Sequence, residues 1–455
     1  MTVDLEYNLI SRVAVGDFLR RSARRFPDKE ALVEYRGGKR LAFTYEELNR
    51  LTNRFARACR RWGLRPGERV AAIGGNSWEY LVAAYGLAKA GLVWVPINAR
   101  MAVNDILYVL QHSEARALIL DDLAAGYAEV MRRQLGLEHL LFLPVTGAPL
   151  PEGETSFPEF LEGASDEEVE DVLINDRDVV QIMYTSGTTS RPKGALITHL
   201  QVVFAALFNI GTLLFSPDER LLCMMPLFHC AQHTLVNSAF TAGATVILLR
   251  AFDPALVLRV VESERLTWLF ALPVMYRTLV DHPDIDRYDL SSVTRCLYAL
   301  APMDRNTLAR ARRKFSRAEF LLGTGQTECY PATNVFFAAW AEGEANYWGR
   351  SLLGVETAIM DEEGNLLPPG RIGEIVWRAP TVMAGYFKDP EATAQARRHG
   401  WHHSGDLGYF NEDGLLVFVD RKKDMIKTGG ENVPSIKVEE VLLSHPEVAA
   451  AAVIG

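Results

Sequence analysis

The chain has few features that would tie it to a scaffold, a nucleic acid or a membrane. Its five cysteines (Cys59, Cys223, Cys230, Cys296 and Cys329) stand singly in apolar surroundings, with no CxxC spacing among them. This excludes a disulfide frame or a cysteine zinc site and predicts reduced, buried thiols in a cytoplasmic protein. There is no basic block: 48 Lys and Arg against 57 Asp and Glu give a net charge of −9, which argues against nucleic acid as a main partner. Long apolar runs are missing too, since residues 202–208 reach less than half of the roughly 20 residues a span needs. The first ten residues carry Asp4 and Glu6 and lack the apolar segment of a secretion signal. Peripheral membrane contact and a homodimer stay open. No internal repeat, low-complexity tract, Ser-His-Asp set, paired-carboxylate site or metal cluster is visible.

What is present is a long α/β chain. At 455 residues with 49% hydrophobic content and 34 glycines, two or three domains of a globular enzyme are expected. Thr44 and Glu47 form a capping box that predicts a helix whose apolar face is Leu48, Leu51, Phe55, Cys59 and Trp62, closed by Gly63. Strand patterns at 69–73, 92–97, 117–120 and 140–143 alternate with helical stretches, and a second series follows at 221–225, 245–249, 267–271 and 295–300. The fold class is therefore α/β, with two doubly wound subdomains. Residues 147–178, rich in Pro, Gly and acids, read as a surface connection. From 332 to 419 short alternating runs with Gly and Pro turns predict a small β-barrel or distorted sheet.

The stretch DVVQIMYTSGTTSRPKGALITH joins an apolar strand to a loop holding Thr185, Ser186, Gly187, Thr188, Thr189, Ser190, Lys193 and Gly194. Hydroxyl donors, permissive backbone and a mobile cation suit a polyphosphate. A flexible linker would not be flanked by two strand-like runs. A Walker A loop fails on Pro192, which has no N–H, and on Gly194, which stands where a hydroxyl is required.

Residues 184–194 resemble the phosphate-loop signature of the adenylate-forming superfamily, whose members include acyl-CoA synthetases, aryl-CoA ligases, luciferases and peptide-synthetase adenylation domains. Further matches extend the likeness over most of the chain. In GTGQTE, the resemblance implies that Gly323, Thr324, Gly325, Gln326 and Thr327 lie along the nucleotide, with Thr327 at the phosphate undergoing substitution and Glu328 on Mg2+. Many relatives place an aromatic residue at Thr324 to stack on adenine, and this chain does not. YALAPM aligns Ala301 and Pro302 with the adenine and acyl pockets, while Ala299 and Leu300 replace two glycines and are expected to narrow the acyl entrance. SGDLG puts Asp406 on the ribose hydroxyls. RKKDMIKTGGEN gives Arg421 for ribose or phosphate, Lys423 for the hinge, and Gly429 and Gly430 for the CoA tunnel. His229 in MPLFHCAQHT is expected in the acyl pocket, and His233 in the core or just behind the site.

The resemblance implies an acyl-CoA synthetase that uses ATP, Mg2+ and CoA on a small-molecule carboxylate. Thr185, Lys193, Thr327 and Glu328 would carry the chemistry. Residues 221–250 contain no Asp or Glu to match a substrate ammonium, so an apolar acid is expected and a fatty acid is preferred. An aryl-CoA ligase, an acyl-AMP ligase, a catalytically silent adenylate-binding relative and a P-loop kinase are the alternatives. Residues 1–420 are expected to form the large domain, and 421–455 the start of a small α+β C-terminal domain that holds a hairpin, a helix near 435–444 and a strand near 448–454. No counterpart of the family's C-terminal catalytic lysine lies within 424–455, so that domain is expected to be only partly represented.

Overall fold

The computed structural model describes residues 4–137, 139–150, 153–185, 191–299, 303–341, 346–428, 431–443, 445, 448 and 451–453. Two large sheets organise it. In the first, the parallel strands Trp268–Ala271, Arg220–Cys223 and Thr245–Leu248 are flanked by Arg295–Ala299 and Glu319–Thr324 on one side and by Glu30–Arg36 on the other. In the second, Val179–Thr185, Val93–Ile97, Arg69–Ile73, Ala115–Asp121 and His139–Leu143 run parallel, and Lys193–Thr198 returns antiparallel to Val179–Thr185.

Side-chain alternation along these strands sets the layers, because each strand is buried on both faces. Val70 and Ala72 point into a central core between the sheets, shared with Leu221, Cys223, Val246 and Leu248 of the other sheet. Their neighbours Ala71 and Ile73 face an outer layer with Ile106, Val109 and Met131, while Leu222 and Ile247 face the opposite outer layer with Val257, Val261 and Tyr276. Five layers result, with helices outside, between and outside the two sheets. Among the central helices is Tyr45–Arg61, whose capping box between Thr44 and Glu47 is formed as expected. Its Leu48, Phe55 and Cys59 are buried, and Leu51 and Trp62 are partly so. All five cysteines are buried and free.

Two expectations change and one is narrowed. Residues 147–178 are not a plain surface connection. Phe157, Phe160, Val169, Val172 and Ile174 enter the core, and the acidic segment behind them is gripped by one face of the helix Tyr45–Arg61. There Arg54 donates to Leu161 O, Arg57 to Glu168 O and Arg61 to Phe160 O, while Arg60 pairs with Asp171. The stretch that suggested a loop is thus held by a row of arginines, mostly through its backbone carbonyls and once through the carboxylate of Asp171. Second, of the barrel and the distorted sheet expected here, the sheet forms: the strands between 347 and 421 pair as an open, bulged antiparallel sheet continuous with the first large sheet, and no pairing among the described strands closes a barrel. Third, Val448 and residues 451–453 form no strand, although the hairpin Ile426–Thr428 with Glu431–Val433 and the helix Ser435–Leu443 are present.

Candidate active site

The carboxyl ends of parallel strands from both sheets converge, which is where α/β folds place their ligands. Val179–Thr185 delivers Thr185 from one sheet, and Arg295–Ala299 and Glu319–Thr324 deliver Ala299 and Thr324 side by side from the other, with Ala299 paired to Gly323. Beyond Thr324 the chain turns at Gly325, where φ is +156° and a Cβ would crowd its neighbours, at 3.0 Å from Pro331 Cβ and 3.1 Å from Thr333 N. Gln326 then precedes the short 3-10 turn Thr327–Cys329.

Glu328 is the meeting point. Thr185 Oγ1 donates to Glu328 Oε1 at 3.4 Å and Tyr386 OH donates to the same oxygen at 3.0 Å. Lys193, opposite Thr185 in the hairpin register, places its ammonium 5.3 Å from the centre of the Tyr386 ring. Thr327 Oγ1 lies 3.4 Å from Cys230 Sγ, so the start of the helix Cys230–Ala242 abuts the turn. His229 is that helix's N-cap, solvent-exposed with its ring 4.6 Å from Phe228.

One residue before the turn, Gln326 Nε2 reaches across to the antiparallel sheet and donates to Asp406 Oδ2 at 3.0 Å and to Ser404 O at 2.7 Å. Asp406 pairs with Arg421 in strand register, just after Gly405 at φ +75°. Burial pushes the Asp406 carboxyl up to about 6; the Arg421 charge and the Gln326 hydrogen bond oppose that rise without cancelling it.

Six consecutive residues, 323–328, therefore connect the phosphate-loop strands with the Asp406–Arg421 pair. Lys423 lies exposed on the turn after Arg421. Ser186, Gly187, Thr188, Thr189, Leu300, Ala301, Pro302, Gly429 and Gly430 lie outside the described residues. Glu328 fits a shared Mg2+: it is a hard oxygen donor whose Oε2 has no hydrogen-bond partner among the described residues. Those residues also contain no group of three or more potential ligands that could cage the ion. Mg2+ favours one or two carboxylates together with substrate phosphates.

Sequence reasoning missed two supports. Tyr386, from MAGYFKDP, carries no chemistry-bearing signal in its local sequence. The second is a buried network behind the turn. Tyr330 OH lies 2.9 Å from His233 Nδ1 and accepts from Asn237 Nδ2 at 3.1 Å, and Tyr85 OH donates to Asn237 Oδ1 at 2.6 Å. Burial lowers the His233 imidazole to about 3, so the ring that meets the Tyr330 hydroxyl is neutral. His233 thus ties the residue two after Glu328 to the central helix layer, the place behind the site that its sequence setting allowed.

With this geometry in place, the chain belongs to the AMP-binding enzyme family, whose profile matches residues 19–387. It is similar to a feruloyl-CoA synthase from an Amycolatopsis species, 38% identical over 416 residues that cover 91% of this chain and 80% of that protein. It is also similar to the crotonobetaine/carnitine–CoA ligase of Escherichia coli, at 32% over 437 residues, 94% of this chain and 83% of the other. Among solved structures, a Mycobacterium tuberculosis fatty acyl CoA synthetase superposes with a TM-score of 0.83 at 30% identity, covering 97% of this chain and 85% of that one. The protein is an AMP-forming acid–CoA ligase that uses ATP, Mg2+ and CoA. No described helix is long and apolar enough to cross a membrane.

Proposed function

We propose that Thr185, Lys193, Thr327 and Glu328 perform adenylation, that Gln326, Asp406 and Arg421 hold the ribose, and that the acid has an apolar body. In the first step a carboxylate oxygen attacks the α-phosphorus of ATP, and the bond to pyrophosphate breaks. In the second the sulfur of CoA attacks the acyl carbon, and AMP leaves with the electron pair. Both steps move negative charge among phosphate oxygens, so fixed donors and cations lower the barrier chiefly by positioning and electrostatics. Lys193 and the hydroxyl of Thr185 would hold the departing pyrophosphate, and Thr327 would donate to the substituted phosphate. When bound, Mg2+ supplies charge neutralisation between the phosphates.

The observation that carries this reading is the convergence of Thr185 and Glu328, 143 residues apart, within 3.4 Å at the strand ends. Nothing in the fold of either sheet alone requires that contact. For the acid, residues 221–250 supply no carboxylate to pair with a substrate cation, which supports an apolar body. A fatty acid is the first reading. An aryl acid is the second, favoured by the 38% identity to a feruloyl-CoA synthase. Incubation with ATP, Mg2+, CoA and matched panels of fatty and aryl acids, followed by mass analysis, tests both. AMP and a fatty-acyl thioester are expected; thioesters from aryl acids alone would reverse the order, and release of ADP would overturn the reaction itself.

A further inference from the structure

Residues 383–387 lie between the two halves of the site and are stitched to both. Met383 N donates to Glu328 O at 2.6 Å, Ala384 N to Leu196 O at 2.8 Å and Phe387 N to Gly194 O at 2.8 Å. Gly385 and Tyr386 pair antiparallel with Leu196 and Ala195, on the free edge of the strand that begins with Lys193. Tyr386 N is held by Thr393 Oγ1 at 2.9 Å, and the Arg397 guanidinium donates to Met383 O at 3.1 Å and also to Ala384 O. The backbone of Tyr386 is thus fixed without help from its side chain.

The side chain does something else. Its hydroxyl donates to Glu328 Oε1 at 3.0 Å, and its ring lies 5.3 Å below the Lys193 ammonium. A phenylalanine would fill the same volume and keep the ring against Lys193, so the hydroxyl contributes to Glu328 and to little else.

We propose that Tyr386 is a positioning residue of the metal–nucleotide site: its hydroxyl fixes the Glu328 carboxylate through Oε1, leaving Oε2 for Mg2+, while its ring seats Lys193. This rests on the assignment of Glu328 to the metal. Partners that orient a metal-binding carboxylate influence affinity through geometry, and their loss typically costs about 10- to 100-fold in metal affinity or activity.

The test compares wild type, Tyr386→Phe, Glu328→Gln and the double variant. ATP binding is followed by calorimetry as Mg2+ is varied, with metal-independent adenosine binding and thermal unfolding as controls. Tyr386→Phe is expected to need about tenfold more Mg2+ for half-maximal ATP binding, with adenosine affinity within about twofold of wild type. In the Glu328→Gln background the same change should add nothing. If Glu328→Gln shifts the Mg2+ requirement and Tyr386→Phe does not, the positioning role is wrong and the metal assignment stands. An unshifted Glu328→Gln would remove the metal assignment and this proposal with it. Parallel losses of adenosine and ATP binding, or failure of Tyr386→Phe to fold, would make the hydroxyl merely structural and overturn the proposal.

Discussion

On the proposed ribose role, Asp406 would give nucleotide binding a proton switch whose sign follows from its burial. Asp406 is 7% exposed, and burial holds its carboxyl at about 6 against the neighbouring Arg421 and Gln326. Accepting from ribose hydroxyls in addition to Gln326 favours the ionised carboxylate, so binding expels the proton. The apparent dissociation constant then scales as 1 + 10^(6 − pH), which is about twofold weaker at pH 6 and about 11-fold weaker at pH 5 than at neutral pH. The same raised value has the opposite effect on folding. Between pH 3.8 and about 6 the native protein binds more protons at this site than the unfolded chain, so this group's contribution to stability is largest below 3.8 and is lost as pH rises through 6. Acid should therefore weaken binding while relieving the unliganded protein of a buried charge.

Adenosine is the ligand to use, because the secondary phosphate ionisation of AMP also falls near pH 6 and would mask the effect. Calorimetry at pH 6 in two buffers of different ionisation enthalpy should show release of about half a proton per adenosine bound. Asp406→Asn should abolish both the proton release and the pH dependence. It should also weaken binding at pH 7.5 by about 10- to 150-fold, the equivalent of a hydrogen bond to a charged group at roughly 1.5–3 kcal/mol. Adenosine affinity that is flat from pH 5 to 7, with no proton release, would refute the ribose role.

Glu328→Ala should cut pyrophosphate release at least about 100-fold with unfolding unchanged, as when a single electrostatic stabiliser is removed; wild-type release by a folded variant would refute the metal role. Thr324 donates only weakly, at 3.5 Å, to Asn334 O. Thr324→Tyr should therefore lose little and tighten ATP binding by about 0.5–1.5 kcal/mol through stacking, and unchanged affinity would mean another group already covers the base. Gly349 sits at φ +77°, and a Cβ there would lie 2.1 Å from Val335 O, on the strand paired beside it. Gly349→Ala should cost at least about 3 kcal/mol in chemical unfolding, and a neutral result would show that the two strands can separate at that point.

The parts of this molecule that could be read in the sequence are those whose information is local. Strands at Arg69–Ile73 and His139–Leu143 and the Thr44 capping box appear where periodicity and capping chemistry put them, because burial on both faces and a hydroxyl three residues before a glutamate are short-range patterns. The acidic connection was misread because its partners, Arg54, Arg57, Arg60 and Arg61, lie about 100 residues earlier. Alone, such a stretch looks solvated. Facing a row of guanidiniums it becomes a packed layer, and composition cannot tell the two apart.

The same distinction runs through the active site. Residues 323–328 stand out by resemblance to a family motif, and in the structure this one short segment carries contacts to two distant regions, Gln326 toward Asp406 and Glu328 toward Thr185. Its course turns at Gly325, where Pro331 and Thr333 would crowd a side chain, so the spacing of those contacts is encoded in consecutive letters. Tyr386 holds the same carboxylate more closely than Thr185 does, at 3.0 Å against 3.4 Å, yet reaches it only because its backbone pairs with Leu196 and Ala195. A tyrosine between a glycine and a phenylalanine reads as an ordinary strand residue. Its importance comes from sheet register, which places a phenol beside a carboxylate 58 residues earlier in the chain. The orienting partners of an active-site carboxylate are in this sense a product of topology, and the residues to test after the motif itself are those whose strands pair with the motif's own.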